Sequence, residues 1–262
     1  MLKCRTALIS GSTGGIGHGT ADALAAQGCN VMLNGFGDPD AIEATRSALE
    51  KKHGVKIGYH GADLRKLDEL EDLVATTVRE LGPVDILVNN AVVRNFAPIE
   101  EFDPAVWQDA LDVNLTSGFN LIRLTLGGMR KRGYGRIVNL ASTLGIMAMP
   151  DRIDYIVTKT ALMGLARGVA IETQDEPNIT VNAICPGAVR TPAAETRVAN
   201  LAESKSISLE AATKEFLAGR QPTDRFVEPA QVGALIAFLC SDAANVITGT
   251  SIPIDDGWTI SP

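Results

Sequence analysis

The sequence predicts an α/β fold, a doubly wound parallel sheet of about seven strands with helices on both faces. Three observations carry the prediction. Short apolar runs recur along the chain and alternate with stretches of helical periodicity. The first run, Thr6-Ala7-Leu8-Ile9, enters a glycine-rich turn and then a helical pattern. The chain has 262 residues, 45% of them hydrophobic, which is enough for one large core.

Thr6–Ile9 reads as a buried parallel strand because it has no polar alternation. It leads into Ser10-Gly11-Ser12-Thr13-Gly14-Gly15-Ile16-Gly17, after which Ala21, Leu24 and Ala25 keep helical spacing up to Gly28. Val31-Met32-Leu33 follows as a second strand. In such a unit the glycines let the backbone approach a pyrophosphate, and the helix N-terminus offers amide donors and the positive end of its dipole. The unit therefore predicts dinucleotide binding in a three-layer, Rossmann-type arrangement. The second strand ends in Asn34-Gly35-Phe36-Gly37-Asp38. No Lys or Arg stands in the glycine turn or between Asn34 and Asp38, so NAD is expected rather than NADP, whose extra phosphate calls for a basic residue there. Asp38 either accepts from the adenosine ribose or caps the helix that starts at Pro39.

Residues 40–53 read as helical and charged, and residues 56–60 as a third strand. A helix over 67–81 puts Leu67, Leu70, Leu73, Val74 and Val78 at core spacing. Residues 85–91 form a fourth strand ending in a polar turn. Two helical stretches fill 104–132, with Asn114 in the first, where an asparagine usually has a local reason. Residues 136–142 make a fifth strand and 179–185 a sixth, which runs into Pro186-Gly187-Ala188-Val189-Arg190-Thr191-Pro192. The polar, helical stretch 193–225 reads as a lid or substrate wall, an insert spanning about 191–225. A helix near 229–241 and a strand at 251–254 close the fold. With no internal repeat or linker, residues 1–262 are expected to form a single dinucleotide-binding catalytic domain.

Composition narrows the function. Net charge is −7 and no basic block stands out, so nucleic acid is not an expected partner. Cys4, Cys29, Cys185 and Cys240 are scattered and read as buried thiols in a reducing compartment. His18, His53 and His60 lack metal-ligand spacing, so no catalytic metal is expected. The N-terminus lacks the length of a signal peptide and no run reaches membrane-spanning length, so a cytoplasmic protein is expected.

Tyr155 and Lys159 lie four apart on a helical stretch and so share one face. A phenol, with a reference pKa of about 10, is made more acidic by a nearby ammonium. A phenol so tuned can exchange a proton with an alcohol. By itself such a pair is more often a solvated helix face. Three further features give it meaning. The glycines are spaced Gly11-x-x-x-Gly15-x-Gly17, the fourth strand ends Asn89-Asn90-Ala91, and Asn114 and Ser142 precede Tyr155 and Lys159.

Occurring in this order, these features resemble the short-chain dehydrogenase/reductase family over essentially the whole chain. Two positions depart from its pattern: Ser10 replaces a threonine, and Val92 replaces the glycine of Asn-Asn-Ala-Gly. The resemblance implies a catalytic tetrad of Asn114, Ser142, Tyr155 and Lys159. Ser142 would donate to the substrate oxygen, and Tyr155 would exchange the proton. Lys159 would tune Tyr155 and hold the nicotinamide ribose, and Asn114, through its backbone carbonyl and a water, would extend the proton path. It also implies a cofactor lying along Gly11, Thr13, Gly15, Ile16 and Gly17. Further along, that cofactor would meet Phe36, Asp63 and Leu64, the Asn90-Ala91 turn, and finally Pro186, Gly187, Val189 and Thr191. Similar tails to Asp255-Asp256-Gly257-Trp258 join tetramer contacts and the pocket edge, so a homotetramer is expected.

Within the family, Asn34–Asp38, Gln221-Pro222, Phe226-Val227 and Asp256–Thr259 resemble the 3-hydroxybutyrate dehydrogenase branch. That branch surrounds its substrate carboxylate with glutamine, histidine, lysine and glutamine. The matching positions here hold Arg94, Leu144, Arg152 and Arg197. Guanidinium groups grip anions through two bonds, so an anionic hydroxy or keto substrate is expected, although not necessarily 3-hydroxybutyrate. Alternatively Arg94 and Arg152 face solvent or pair with Asp151, Asp154 or Glu100, leaving a neutral alcohol or sugar as substrate. A silent NAD(H)-sensing module is the non-enzymatic alternative.

Overall fold

The computed structural model describes residues 2–261. Its strands are β1 (Thr6–Ile9), β2 (Asn30–Asn34), β3 (Ile57–His60), β4 (Val84–Asn89), β5 (Gly135–Leu140), β6 (Ile179–Pro186) and β7 (Ser251–Ile254). They form one seven-stranded sheet in the order β3-β2-β1-β4-β5-β6-β7, with every neighbouring pair parallel. This is the expected doubly wound, Rossmann-type sheet. Parallel neighbours need crossovers, and helices supply them: α1 (Gly15–Ala26), α2 (Pro39–His53), α3 (Leu67–Leu81), α4 (Pro104–Leu111), α5 (Ser117–Arg132) and α6 (Ile153–Glu172). After β6 come α7 (Pro192–Lys205), α8 (Leu209–Leu217) and α9 (Pro229–Cys240).

Strand residues alternate between two apolar layers. Ala7, Ile9, Val31, Leu33, Ile86 and Val88 pack with Leu24 of α1 and Val232 and Ile236 of α9. Leu8, Met32, Leu87 and Ile137 face the other way, against Leu70 and Leu73 of α3, Leu121 of α5 and Leu162 of α6. The period of two along each strand produces this split. No described helix is long and apolar enough to cross a membrane.

Several local expectations change. Leu70 and Leu73 are buried, whereas Leu67 and Val78 lie 43% and 47% exposed. They keep helical spacing but fall at the edges of the α3 stripe. Asn114 sits in a wider π-turn, Asp112–Thr116, that joins α4 directly to α5. The stretch after Thr191 is two helices, broken where Ser206 takes a left-handed conformation. Cys4 is exposed rather than buried. Of the two roles open to Asp38, the structure shows the cap: its carboxylate accepts from the Ala41 amide at 2.9 Å.

The strand order changes direction between β1 and β4, and the loops there are stitched together. The Ser10 hydroxyl accepts from the Asn90 and Ala91 amides at 3.0 and 3.1 Å, and the Asn90 side chain donates to the Ser10 and Gly11 carbonyls. Ser10 thus supplies the hydroxyl that its position needs. Gly11 has φ +62°, and a Cβ there would lie 2.7 Å from the Ala91 Cα. At Gly17, in the first turn of α1, a Cβ would lie 2.3 Å from the Gly11 carbonyl oxygen.

In an open helix interior, Gly→Ala stabilises by about 0.5–1 kcal/mol. Gly168 of α6, with nothing within 4 Å of its virtual Cβ, is expected to follow that rule. Gly17→Ala is expected to reverse the sign and cost about 1–3 kcal/mol through overpacking. Urea unfolding of the two variants checks this.

Candidate active site

Two connected spaces open at the C-terminal edge of the sheet. One is a long groove beside the glycine turn, lined by Gly11, Thr13, Gly15, Ile16, Phe36, Asp63, Leu64, Asn90, Ala91 and Thr191. The sequence placed all of these along one cofactor. The helix α1 starts without any side-chain cap, so its first-turn amides are free to meet an anionic group, and a dinucleotide pyrophosphate fits that end. Phe36 is 64% exposed at the rim, and its carbonyl accepts from the Thr13 hydroxyl. Asp63 is gripped by Arg65, which also pairs with Asp109. Val92 lines both spaces and is not among the residues of positive φ, so its backbone does not call for a glycine.

The second space is a deep cavity that reaches Asn90, Ser142, Tyr155 and Lys159, with Pro186, Gly187, Val189 and Thr191 along one side. Ser142 lies two residues beyond β5 and accepts from the Leu144 amide at 3.1 Å. Tyr155 and Lys159 stand on the buried face of α6. The Lys159 ammonium donates to the Leu140 carbonyl at 2.5 Å and lies 5.5 Å from the centre of the Tyr155 ring. Burial pushes Lys159 down to about 8, and the nearby Arg94 charge adds to this. For Tyr155 burial acts the opposite way, opposing the phenolate. The charges of Arg94 and Lys159 and hydrogen bonds from Ser142 and Arg94 outweigh it, so the phenol sits below its ordinary pKa.

Asn114 does not reach Tyr155 with its side chain. Its amide oxygen accepts from the Val93 amide at 2.7 Å, and its nitrogen donates to the Val93 carbonyl at 3.0 Å and the Thr158 hydroxyl at 3.3 Å. It therefore pins the loop that carries Arg94 to α6. Asp154 makes a second clamp: its carboxylate accepts from the Tyr155 amide and from the Asn95 amide and side chain.

Arg94 points inward, and its guanidinium donates to the Tyr155 hydroxyl at 3.0 Å. Arg152 also lines the cavity, stacked 3.7 Å over the Phe96 ring, and Arg197 lines it beside Phe216. Neither Arg94 nor Arg152 pairs with Asp151, Asp154 or Glu100 among the described residues. The sequence reading missed a fourth lining arginine, Arg220, which also stacks on Phe216. Arg220 directly precedes the Gln221-Pro222 pair, but nothing in that pair marks the arginine as a cavity residue. Leu144 and Trp258 complete an apolar wall against Tyr155.

A family model described as Enoyl-(Acyl carrier protein) reductase, covering short-chain dehydrogenases, matches residues 11–259. The chain belongs to the short-chain dehydrogenase/reductase family. It is 43% identical to a D-beta-hydroxybutyrate dehydrogenase of Cupriavidus necator over 258 residues, 98% of this chain and 99% of that protein. A Rhizobium meliloti protein of the same description is 40% identical over 255 residues, 97% of this chain and 98% of that one. Among solved structures, the L-sorbose reductase from Gluconobacter frateurii, complexed with NADPH and L-sorbose, superposes with a TM-score of 0.94 at 28% identity, covering 99% of this chain and 98% of that chain. As a family member the chain is an oxidoreductase that acts on a secondary alcohol or ketone, and its fold takes a nicotinamide cofactor.

The charges around Tyr155 make a spectroscopic prediction. Tyrosinate absorbance, taken as the difference between the protein and its Tyr155→Phe variant, is expected to titrate below a free phenol. Arg94→Leu removes a cation that favours the phenolate, so the same difference curve is expected to move to higher pH.

Proposed function

We propose that the chain is an NAD-dependent dehydrogenase of anionic hydroxy acids, with Tyr155 as the acid/base. The observation that supports it is the wall of the cavity. Arg94, Arg152, Arg197 and Arg220 line it with Lys159, no Asp or Glu does among the described residues, and the space reaches Tyr155.

In oxidation the phenolate of Tyr155 takes the proton of the substrate hydroxyl. Ser142 donates a hydrogen bond to the same oxygen and holds it as charge develops. A nicotinamide bound beside Tyr155 supplies the hydride acceptor. Lys159 spends one donor on the Leu140 carbonyl and keeps others for the cofactor ribose. The Asn114 backbone carbonyl continues the proton path through a water, while its side chain fixes Val93. Arg94 holds the substrate carboxylate next to the reacting carbon. Thr191 accepts from the Ala194 amide, which leaves its own O–H to orient the carboxamide together with the Val189 backbone.

The preference for NAD rests on the groove. Of its two basic side chains, Arg65 pairs with Asp63 and Asp109, and Arg94 is turned to the Tyr155 hydroxyl at the substrate end. A 2′-phosphate beside Phe36 would find no free cation among the described residues. Helices α7 and α8 supply Arg197 and Phe216 to the cavity and act as the substrate lid. Exposed Phe119 and Val157, on α5 and α6, suit self-association into a homotetramer, which light scattering would measure.

The test follows reduced-nicotinamide absorbance with NAD or NADP and a panel of 3-hydroxybutyrate, larger hydroxy acids, sugar acids and neutral secondary alcohols. NAD-dependent turnover of an anionic member is expected. Tyr155→Phe should lose about 10²–10⁴-fold in kcat while NADH still binds. A preference for neutral alcohols would sink the anionic reading. Silence across the panel with NADH bound would favour a sensor.

A further inference from the structure

Resting on the reading of this cavity as the substrate pocket, we infer that the substrate carries two anionic groups, one held near Tyr155 and a second held by Arg152, Arg197 and Arg220. Charge counting begins the argument. Among the described residues Arg5, Arg46, Arg65, Arg79, Arg130, Arg132, Arg190 and Arg225 have carboxylate partners, and Arg123, Arg136 and Arg167, which have none, lie outside the cavity wall. Arg94, Arg152, Arg197 and Arg220 make no ion pair, and all four line one cavity without a carboxylate. Grouping cations this way is costly. Burial pushes Arg152, Arg197 and Arg220 below the usual guanidinium range, Arg197 to about 10, and neighbouring guanidinium groups add to the effect at Arg152 and Arg197.

What holds these side chains does not neutralise them. Arg152 lies over Phe96 at 3.7 Å. Arg197 and Arg220 lie over the same Phe216 ring at 5.3 and 4.6 Å, and the Arg197 Nε donates to the Ala193 carbonyl. Aromatic faces and a carbonyl fix the guanidinium planes and leave the rest of each fork available. A single carboxylate accepts at most one or two such forks. Arg94, bonded to the Tyr155 hydroxyl, already stands where a carboxylate next to the reacting carbon would lie.

The surplus is not explained by the cofactor. Arg152, Arg197 and Arg220 line the cavity at Tyr155 but not the groove beside Gly11 and Phe36. Their charge therefore faces the substrate. The chemistry that fits is a hydroxy acid bearing a second carboxylate or a phosphate, since both present oxygens that a guanidinium fork can meet in pairs.

The test measures binding alone. Calorimetric titration of the protein saturated with NADH would compare succinate with butyrate, glutarate with pentanoate, and 3-phosphoglycerate with glycerate. The member with two anionic groups in at least one matched pair is expected to bind at least about tenfold tighter, with a gap that shrinks as salt rises. Arg220→Gln is expected to close the gap, and Arg220→Lys, which keeps the charge, to retain most of it. A gap in the carboxylate pairs alone identifies a hydroxy dicarboxylate, and one in the phosphate pair alone a phosphorylated hydroxy acid. Equal binding within all three pairs overturns the inference, as does a gap that Arg220→Gln leaves intact. Turnover plays no part, so either failure leaves the dehydrogenase reading standing.

Discussion

All seven strands run the same way, so their C-terminal ends share one edge, and the sheet changes winding direction between β1 and β4 on that edge. Everything functional depends on how this junction is closed. The loops leaving β1 and β4 come close enough that Gly11 and Gly17 have no room for a side chain, and the Ser10 hydroxyl with the Asn90 amide satisfies the backbone groups left between them. An open sheet splits its crossovers to opposite faces at such a point and leaves a crevice for a ligand. The path of the chain after Asn90 is then set. It runs through Val92 and Val93, which Asn114 clamps to the π-turn, and delivers Arg94 to Tyr155.

The second constraint is electrostatic. A buried phenol resists ionisation and nearby cations overcome this resistance, while burial, with a further push from the Arg94 charge, drives Lys159 down to about 8. The fold holds them through groups that carry no net charge: the Leu140 carbonyl for Lys159, the rings of Phe96 and Phe216 for the outer arginines. Asp154, the buried acid closest in sequence to Tyr155, has its carboxylate taken by the Tyr155 amide and by Asn95. Its charge is spent on joining α6 to the Arg94 loop. The cavity is thereby left with an unbalanced positive potential, and a ligand is the natural source of the missing charge.

Much of this was legible in the sequence where the signal is local. Short continuous apolar runs marked the strands, and the strand, glycine turn and helix marked the first crossover. The i, i+4 rule placed Tyr155 and Lys159 on one face. Arg94, Arg152 and Arg197 were found by matching positions, and the structure brings all three to the cavity. The misses have physical causes. Leu67 and Val78 obey helical spacing, but exposure depends on how far the neighbouring layer extends. Asp38 is no miss: the cap was one of its two readings, and its carboxylate takes the Ala41 amide. Arg220 carries no motif, and only the return of the chain after α8 brings it beside Phe216.

The sequence by itself therefore determined the fold class and the order of its elements, because each is written in spacings within a few helical turns or a single strand, and the order of its motifs marked the family. The tertiary structure alone decided which side chains share a cavity. Arg94, Arg152, Arg197 and Arg220 come from segments spread over more than a hundred residues of chain. Their convergence, and the exclusion of every acid from the same wall, follows from packing among layers rather than from any local pattern.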